Sequence, residues 1–151
     1  MSDPHPPSRL IDPRGHRFGA GLSVVILLGA FALNLPILVA LVAAALGVSA
    51  WFGTRYSILG RPWLYVRKAL KVGPPAELES ELPPRFAQIL GFTGLGLGAV
   101  AFVAGVPVLG WALTAAVAGL QFVLAATGYC LGCRLFFLRW RLPGLFERLA
   151  R

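Results

Sequence analysis

Charged side chains are confined to three parts of this chain. All 20 Asp, Glu, Lys and Arg residues lie within 1–17, 55–85 and 134–151. The stretches 18–54 and 86–133 carry none, and only 13% of the chain is charged, against about 25% in a soluble domain. Backbone groups in lipid must be hydrogen bonded within the segment, which favours helices. The sequence therefore predicts an all-α integral membrane protein, with residues 1–151 forming a single membrane domain.

Turn residues divide the two uncharged stretches into four apolar segments, which we predict to be transmembrane helices arranged as two hairpins. The predicted spans are 18–33, 36–53, 86–106 and 109–132. About 20 residues are needed to cross a hydrocarbon core of about 30 Å, so the second hairpin is long enough for a full crossing. The first two segments are short. A locally thinned bilayer and a re-entrant hairpin therefore both stay open for the first hairpin.

The positions of Lys and Arg predict the orientation. Three lie in the tail 1–17, six in the loop 54–85 and five in the tail 134–151, whereas the two hairpin turns have none. Because positive residues favour the cytoplasmic side, both termini and the middle loop are predicted to be cytoplasmic. The net charge of +8 then reflects topology. We expect a lipid bilayer as the partner, and no nucleic acid.

The middle loop contains a weakly amphipathic segment, Arg61–Val72. At 100° per residue, one face has Trp63, Val66 and Leu70 and another has Arg67, Lys68 and Lys71. This pattern predicts a short interfacial helix whose apolar face contacts lipid and whose cations lie near anionic headgroups. A solvated loop helix is the alternative.

Glycine pairs four positions apart recur along the chain. They are Gly15/Gly19, Gly94/Gly98 and Gly128/Gly132. Such pairs allow helix backbones to approach closely. We expect them to pack within one chain, and a homodimer is the alternative.

The predicted spans offer little for ion transport or nucleotide binding. They contain no Asp, Glu, Lys, Arg or His. Gln121 is the only strongly polar side chain deep in one of them. Intramembrane ionisable residues usually mark ion or proton paths, so a proton-coupled pump is not expected. Gly94–Gly98 lacks the strand context of a nucleotide-binding loop.

The reactive residues stand in Cys130-Leu131-Gly132-Cys133, which the predicted topology places at the cytoplasmic end of the fourth helix. A permanent disulfide is disfavoured on this reducing side. On a helix this spacing brings the two Cα atoms within the roughly 4.4–6.8 Å that a disulfide requires, so we predict a reversible dithiol. Cys133 should be nearer to water and is our expected attacking thiol. The neighbouring Arg134 would stabilise its thiolate, unless a helix C-terminus opposes this.

Inert thiols and metal binding are the alternatives for this pair. The chain has two histidines, His5 and His16, and both are predicted on the same side as the cysteines. A Cys₂His₂ zinc site would need both. Because His5 lies in a Pro-rich arm and His16 stands between two arginines, we expect solvated histidines and no metal or other cofactor.

Several motifs closely resemble a bacterial membrane family catalogued as domain of unknown function 4395. They are Asp12-Pro13-Arg14-Gly15 with Arg17-Phe18, Gly73-Pro74-Pro75-Ala76-Glu77-Leu78-Glu79, Pro83-Pro84-Arg85-Phe86-Ala87-Gln88, and Ala126-Thr127-Gly128-Tyr129-Cys130-Leu131-Gly132-Cys133-Arg134. His16 departs from the pattern, in which proline is expected. The resemblance implies four helices in the inner membrane of a bacterium and no assigned reaction. It also implies relatives encoded near thioredoxin-like and rhodanese-like proteins.

We therefore expect an accessory membrane dithiol protein that exchanges electrons or sulfane sulfur with a soluble thioredoxin-like or rhodanese-like partner. Whether it is an enzyme in its own right stays open. The alternative is a non-enzymatic membrane scaffold, or a passive pore, with inert cysteines.

Overall fold

The computed structural model describes residues 9–141, with side chains up to Leu138. In this part of the chain the helices are α1 (Pro13–Ala32), α2 (Pro36–Phe52), α3 (Pro62–Ala69), α4 (Leu82–Val103), α5 (Pro107–Thr127) and α6 (Leu131–Arg141). A 3-10 turn covers Thr54–Tyr56, and two short strands, β1 (Leu10–Ile11) and β2 (Glu79–Ser80), pair antiparallel. The predicted all-α class is confirmed. His5 and the outer parts of both predicted tails lie outside the described residues.

The four long helices form a closed bundle in which α1 and α4 each pack against both α2 and α5. Leu27, Val39 and Leu95 are fully buried at its centre. Large apolar side chains such as Val25, Leu97 and Phe122 are exposed on its outside, as expected for a surface in contact with lipid. Three helices, α1, α4 and α5, are long and apolar enough to cross a membrane, whereas α2 is apolar but has 17 residues.

Helix α1 begins at Pro13, five residues before the predicted span 18–33, so its first turns lie within the predicted tail 1–17. The Asp12 side chain caps this helix by accepting a 2.9 Å hydrogen bond from the Arg14 N–H. Pro13 suits the first helical position because its missing N–H would have no partner there. Hydropathy marks only the apolar segment that can enter lipid. The helix itself begins earlier, at the residue that follows its cap.

Helix α5 ends at Thr127, before the predicted end at residue 132. Gly128 adopts a left-handed conformation, with φ of 73°, which glycine tolerates because it lacks a Cβ. A separate helix, α6, then begins at Leu131 and packs against α4. The cysteine motif therefore lies at the start of a helix and not at the end of one.

The predicted amphipathic helix exists as α3, but one of its apolar side chains faces the protein. The Trp63 ring lies 5.8 Å from the Phe18 ring, and its Nε1–H donates to Asp12 Oδ2 at 3.3 Å. The expectation that Trp63 faces lipid is wrong, because α1 offers an acceptor and a flat packing surface. Leu64, Tyr65 and Leu70 are the exposed large apolar side chains of this segment.

The glycine pairs make close contacts within this chain. A Cβ on Gly19 would lie 3.2 Å from the Gly60 nitrogen, and one on Gly94 would lie 2.7 Å from a methyl group of Val117. A Cβ on Gly132 would lie 2.7 Å from the Ala87 Cβ. Packing between segments of one chain therefore accounts for these glycines.

Candidate functional site

The cysteine pair is built into the first turn of α6. The Cys130 carbonyl oxygen accepts a hydrogen bond from the Arg134 N–H at 3.1 Å. The Cys130 Sγ accepts one from the Cys133 N–H at 3.2 Å. Cys130 thus takes the N-cap position, where a side-chain acceptor satisfies a backbone N–H that has no partner within the helix.

Cys130 and Cys133 form a disulfide, with their Cα atoms 5.2 Å apart. This separation lies within the range predicted from their spacing. Both residues are half-buried, and both line an open groove at the surface. The bond is therefore placed where a partner molecule could reach it.

The position of the pair changes the argument about which thiol would attack. The sequence favoured Cys133 because a continuous helix down to residue 132 would place it nearer to water. With the helix broken at Gly128, Cys130 instead lies at a helix N-terminus, where the capping N–H and the helix dipole favour a negative sulfur once the disulfide is reduced. Thiolate stabilisation therefore favours Cys130.

Arg134 lines the same groove but is engaged with an aromatic ring. Its guanidinium carbon lies 4.9 Å from the centroid of the Tyr129 ring, a cation–π arrangement on the exposed side of the motif. Arg134 therefore contributes positive charge next to the pair while it is held by Tyr129. Its role as a thiolate stabiliser stays a prediction.

A third residue at this site, His16, was not expected from the sequence. One ring nitrogen of His16 and the two sulfurs of Cys130 and Cys133 all lie within 4.8 Å of one another. The Nε2 atom of His16 is buried and makes no hydrogen bond with any residue that the structure describes. The expectation of a solvated His16 is therefore wrong.

Contacts on both sides of His16 hold it in place. Asp12 caps the helix one turn earlier, and Arg17 donates hydrogen bonds to the carbonyl oxygens of Ala125 and Ala126. A Cβ on Gly15 would lie 3.4 Å from the Trp63 ring, so α1 also packs closely on α3. These contacts bring the start of α1 to the end of α5, where the cysteine motif begins.

A cavity of about 130 Å³ lies beneath the cysteine pair, between α1, α4, α5 and α6. Cys130 lines both this cavity and the outer groove, whereas Cys133 lines only the outer groove. The Gln88 side chain is buried, and its Oε1 has no hydrogen-bond partner among residues 9–138. The lining residues that carry polar or sulfur atoms in their side chains are His16, Gln88, Gln121 and Cys130.

Comparison with known families gives a match over most of the chain. The family described as Domain of unknown function (DUF4395) matches residues 11–141. The chain belongs to this family. The DUF4395 match begins next to the Asp12 cap and includes every described helix, His16 and both cysteines. Searches of curated proteins and of solved structures gave no match.

The motifs that resemble the DUF4395 family have structural roles here. Arg14 donates to the Gly73 carbonyl oxygen at 3.3 Å, which ties two of the motifs together. Arg85 donates to the Ala50 carbonyl oxygen at 3.0 Å and to that of Trp51 at 3.1 Å, at the end of α2. The two bonds from Arg85 satisfy carbonyl groups in the last turn of α2 that have no partner within that helix. The charged motif residues therefore join segments that lie far apart in the sequence.

Proposed function

We propose that this protein is a four-span protein of the bacterial inner membrane, with both termini and residues 54–85 in the cytoplasm. The absence of Lys and Arg from both hairpin turns supports this orientation. Hydrogen bonds from Arg17 to the end of α5 and from Arg85 to the end of α2 bring the charged segments to one end of the bundle. The 17 residues of α2 extend about 26 Å at 1.5 Å per residue, which a slightly thinned bilayer accommodates.

We further propose that Cys130 and Cys133 exchange electrons or sulfane sulfur with a soluble partner of thioredoxin-like or rhodanese-like type. The observation that carries this proposal is the Cys130 Sγ at the N-cap of α6, beside an open groove. A sulfur in this position is both accessible and stabilised as a thiolate, which are the two properties of reactive cysteines.

Electron exchange proceeds through a mixed disulfide. The thiolate of a reduced partner dithiol attacks the Cys130 sulfur, and the Cys133 thiolate leaves. The second partner thiol then attacks the partner sulfur of the mixed disulfide and releases Cys130. Two electrons and two protons have then passed from the partner to the cysteine pair. The reverse sequence, which begins with attack by Cys130 on a partner disulfide, returns them.

Sulfane sulfur exchange uses the same two residues. The Cys130 thiolate attacks the terminal sulfur of a partner persulfide, so that Cys130 becomes a persulfide and the partner leaves as a thiolate. Cys133 then attacks the Cys130 sulfur, forms the disulfide and releases sulfide. The two electrons that reduce the sulfane sulfur come from the two thiols.

Single serine substitutions test this assignment. Cys133→Ser removes the resolving thiol, so a mixed disulfide or persulfide should accumulate on Cys130. Cys130→Ser is the matched control and should trap much less. Non-reducing gels and intact-mass measurement on membranes from each variant give the comparison, with purified thioredoxin-like and rhodanese-like proteins as candidate partners.

Two results would contradict the proposal. Stronger trapping by Cys130→Ser would reverse the roles of the cysteines. If neither variant traps a partner, and the double serine variant grows like the parent on varied sulfur sources, the protein is a scaffold or passive pore with inert cysteines.

A further inference from the structure

The exchange reactions above leave one group at the site without a role. They need two sulfurs and a partner, and neither reaction needs the imidazole of His16. Yet the buried Nε2 of His16 makes no hydrogen bond with the described residues, and a buried polar atom left unpaired destabilises the folded state. A histidine that brings one ring nitrogen within 4.8 Å of two sulfurs, and whose buried Nε2 has no partner among the described residues, therefore needs an explanation.

We propose that His16, together with the reduced thiolates of Cys130 and Cys133, binds one thiophilic metal ion of the Zn(II) or Cu(I) type. Imidazole and thiolate are the ligands that these ions prefer in proteins. The described residues supply three ligands and no carboxylate to this cluster. Three ligands suit a low-coordinate ion or leave one position open to a small molecule.

To bind one ion, the two sulfurs must move apart and the nitrogen–sulfur distances must shorten slightly. Metal–sulfur bonds of about 2.3 Å and metal–nitrogen bonds of about 2.0 Å place the ligand atoms around one ion about 3.5–4 Å apart. The three donor atoms lie within 4.8 Å of one another while the sulfurs are still bonded together. Reduction breaks that bond and frees both sulfurs to turn towards His16.

Charge also favours the complex. Two thiolates and a neutral imidazole around Zn(II) give a neutral unit, which can lie in a half-buried site without an uncompensated charge. Binding of Zn(II) to the two thiols releases two protons. The disulfide form has no thiolate to offer, so metal binding and the oxidised state exclude each other.

Metal titration of the full-length protein in detergent tests this inference. The protein is first reduced with a phosphine, which is then removed, and Zn(II) or Cu(I) is added in competition with a chromophoric chelator. We expect one ion per chain. His16→Gln should weaken binding by at least about 100-fold, since loss of even a residue that only orients a ligand typically costs 10–100-fold.

Two further variants separate ligand loss from other effects. Gln88→Leu changes a polar residue of the same cavity and should leave affinity within about threefold of the parent, because an amide oxygen is a poor ligand for these ions. His16→Cys offers a thiolate at the same place and should recover binding that His16→Gln loses. X-ray absorption of the zinc-loaded parent should show two sulfur neighbours and one nitrogen from the protein.

Three results would overturn the inference. The first is parent protein that binds neither ion more tightly than the Cys130→Ser, Cys133→Ser double variant. The second is full affinity in His16→Gln. The third is a failure of His16→Cys to recover binding, in protein that still forms the Cys130–Cys133 disulfide after oxidation. None of these measurements needs the soluble partner, so metal binding is tested independently of the proposed exchange function.

Discussion

The guanidinium of Arg17 donates a 3.2 Å hydrogen bond to the carbonyl oxygen of Ala125, and this bond joins the first turns of α1 to the last turn of α5. The carbonyl groups of the last helical turn have no partner within the helix. A positive charge there also interacts favourably with the negative end of the helix dipole. Arg17 also packs against Gly128, since a Cβ on that glycine would lie 3.4 Å from the guanidinium. The bond therefore holds His16, the preceding residue, beside the cysteine motif.

Replacing Arg17 with Gln should loosen this junction. Because an exposed hydrogen bond from a charged group contributes less than a buried one, we expect the free energy of unfolding to fall by about 1 kcal/mol. Denaturant unfolding of the detergent-solubilised protein measures the change. Arg61→Gln is the control, since Arg61 is exposed and its side chain makes no hydrogen bond with the described residues. Equal loss in both variants would contradict a specific role for Arg17.

Asp12 combines two roles that different substitutions separate. Its Oδ1 caps α1, whereas its Oδ2 accepts from Trp63 and pairs with Arg67 at 3.5 Å. Asp12→Asn keeps a good cap, but its amide NH₂ cannot accept from Trp63, so it should cost about 1 kcal/mol, whereas Asp12→Ala also loses the cap and should cost about 2 kcal/mol. Thermal unfolding of both variants measures the difference. If Asn and Ala prove equally destabilising, the ion pair matters more than the cap.

Gly132 allows α6 to approach α4. An added Cβ would lie 2.7 Å from the Ala87 Cβ and 2.9 Å from its Cα, so Gly132→Ala should force the helices apart and cost about 1–3 kcal/mol. Gly29→Ala is the matched control, because nothing lies within 4 Å of its added Cβ. That change should instead stabilise α1 by about 0.5–1 kcal/mol. Similar stability of the two variants would argue against close α4–α6 packing in the membrane.

The topology predicts which positions reagents can reach. A reporter that folds only in the cytoplasm should be active when fused to either terminus. A cysteine at Asn34, in the turn between α1 and α2, should react with an impermeant thiol reagent added outside the cell, whereas one at Arg55 should be protected until the membrane is opened. Activity at one terminus alone would indicate an odd number of spans. Protection of position 34 from outside would favour a re-entrant first hairpin.

The sequence by itself determined the all-α class, the long apolar helices and the segregation of charge. These properties depend on residues that are neighbours in the chain, since hydropathy and turn residues act locally. The same local information located Cys130 and Cys133 and predicted their Cα separation. The cap of α1 is equally local, since Asp12 accepts from the N–H of Arg14 two residues later, but hydropathy alone does not show it.

Only the tertiary structure decided how the site is assembled. Nothing local to Gly128 requires a left-handed residue there, and that conformation coincides with the packing of Arg17 against it. His16 lies close to the cysteines because α1 and α5 meet at one end of the bundle, and no residue near His16 in the sequence indicates this contact. Hydrogen bonds and packing between distant segments, which the order of residues does not reveal, convert a separate histidine and a cysteine pair into one site.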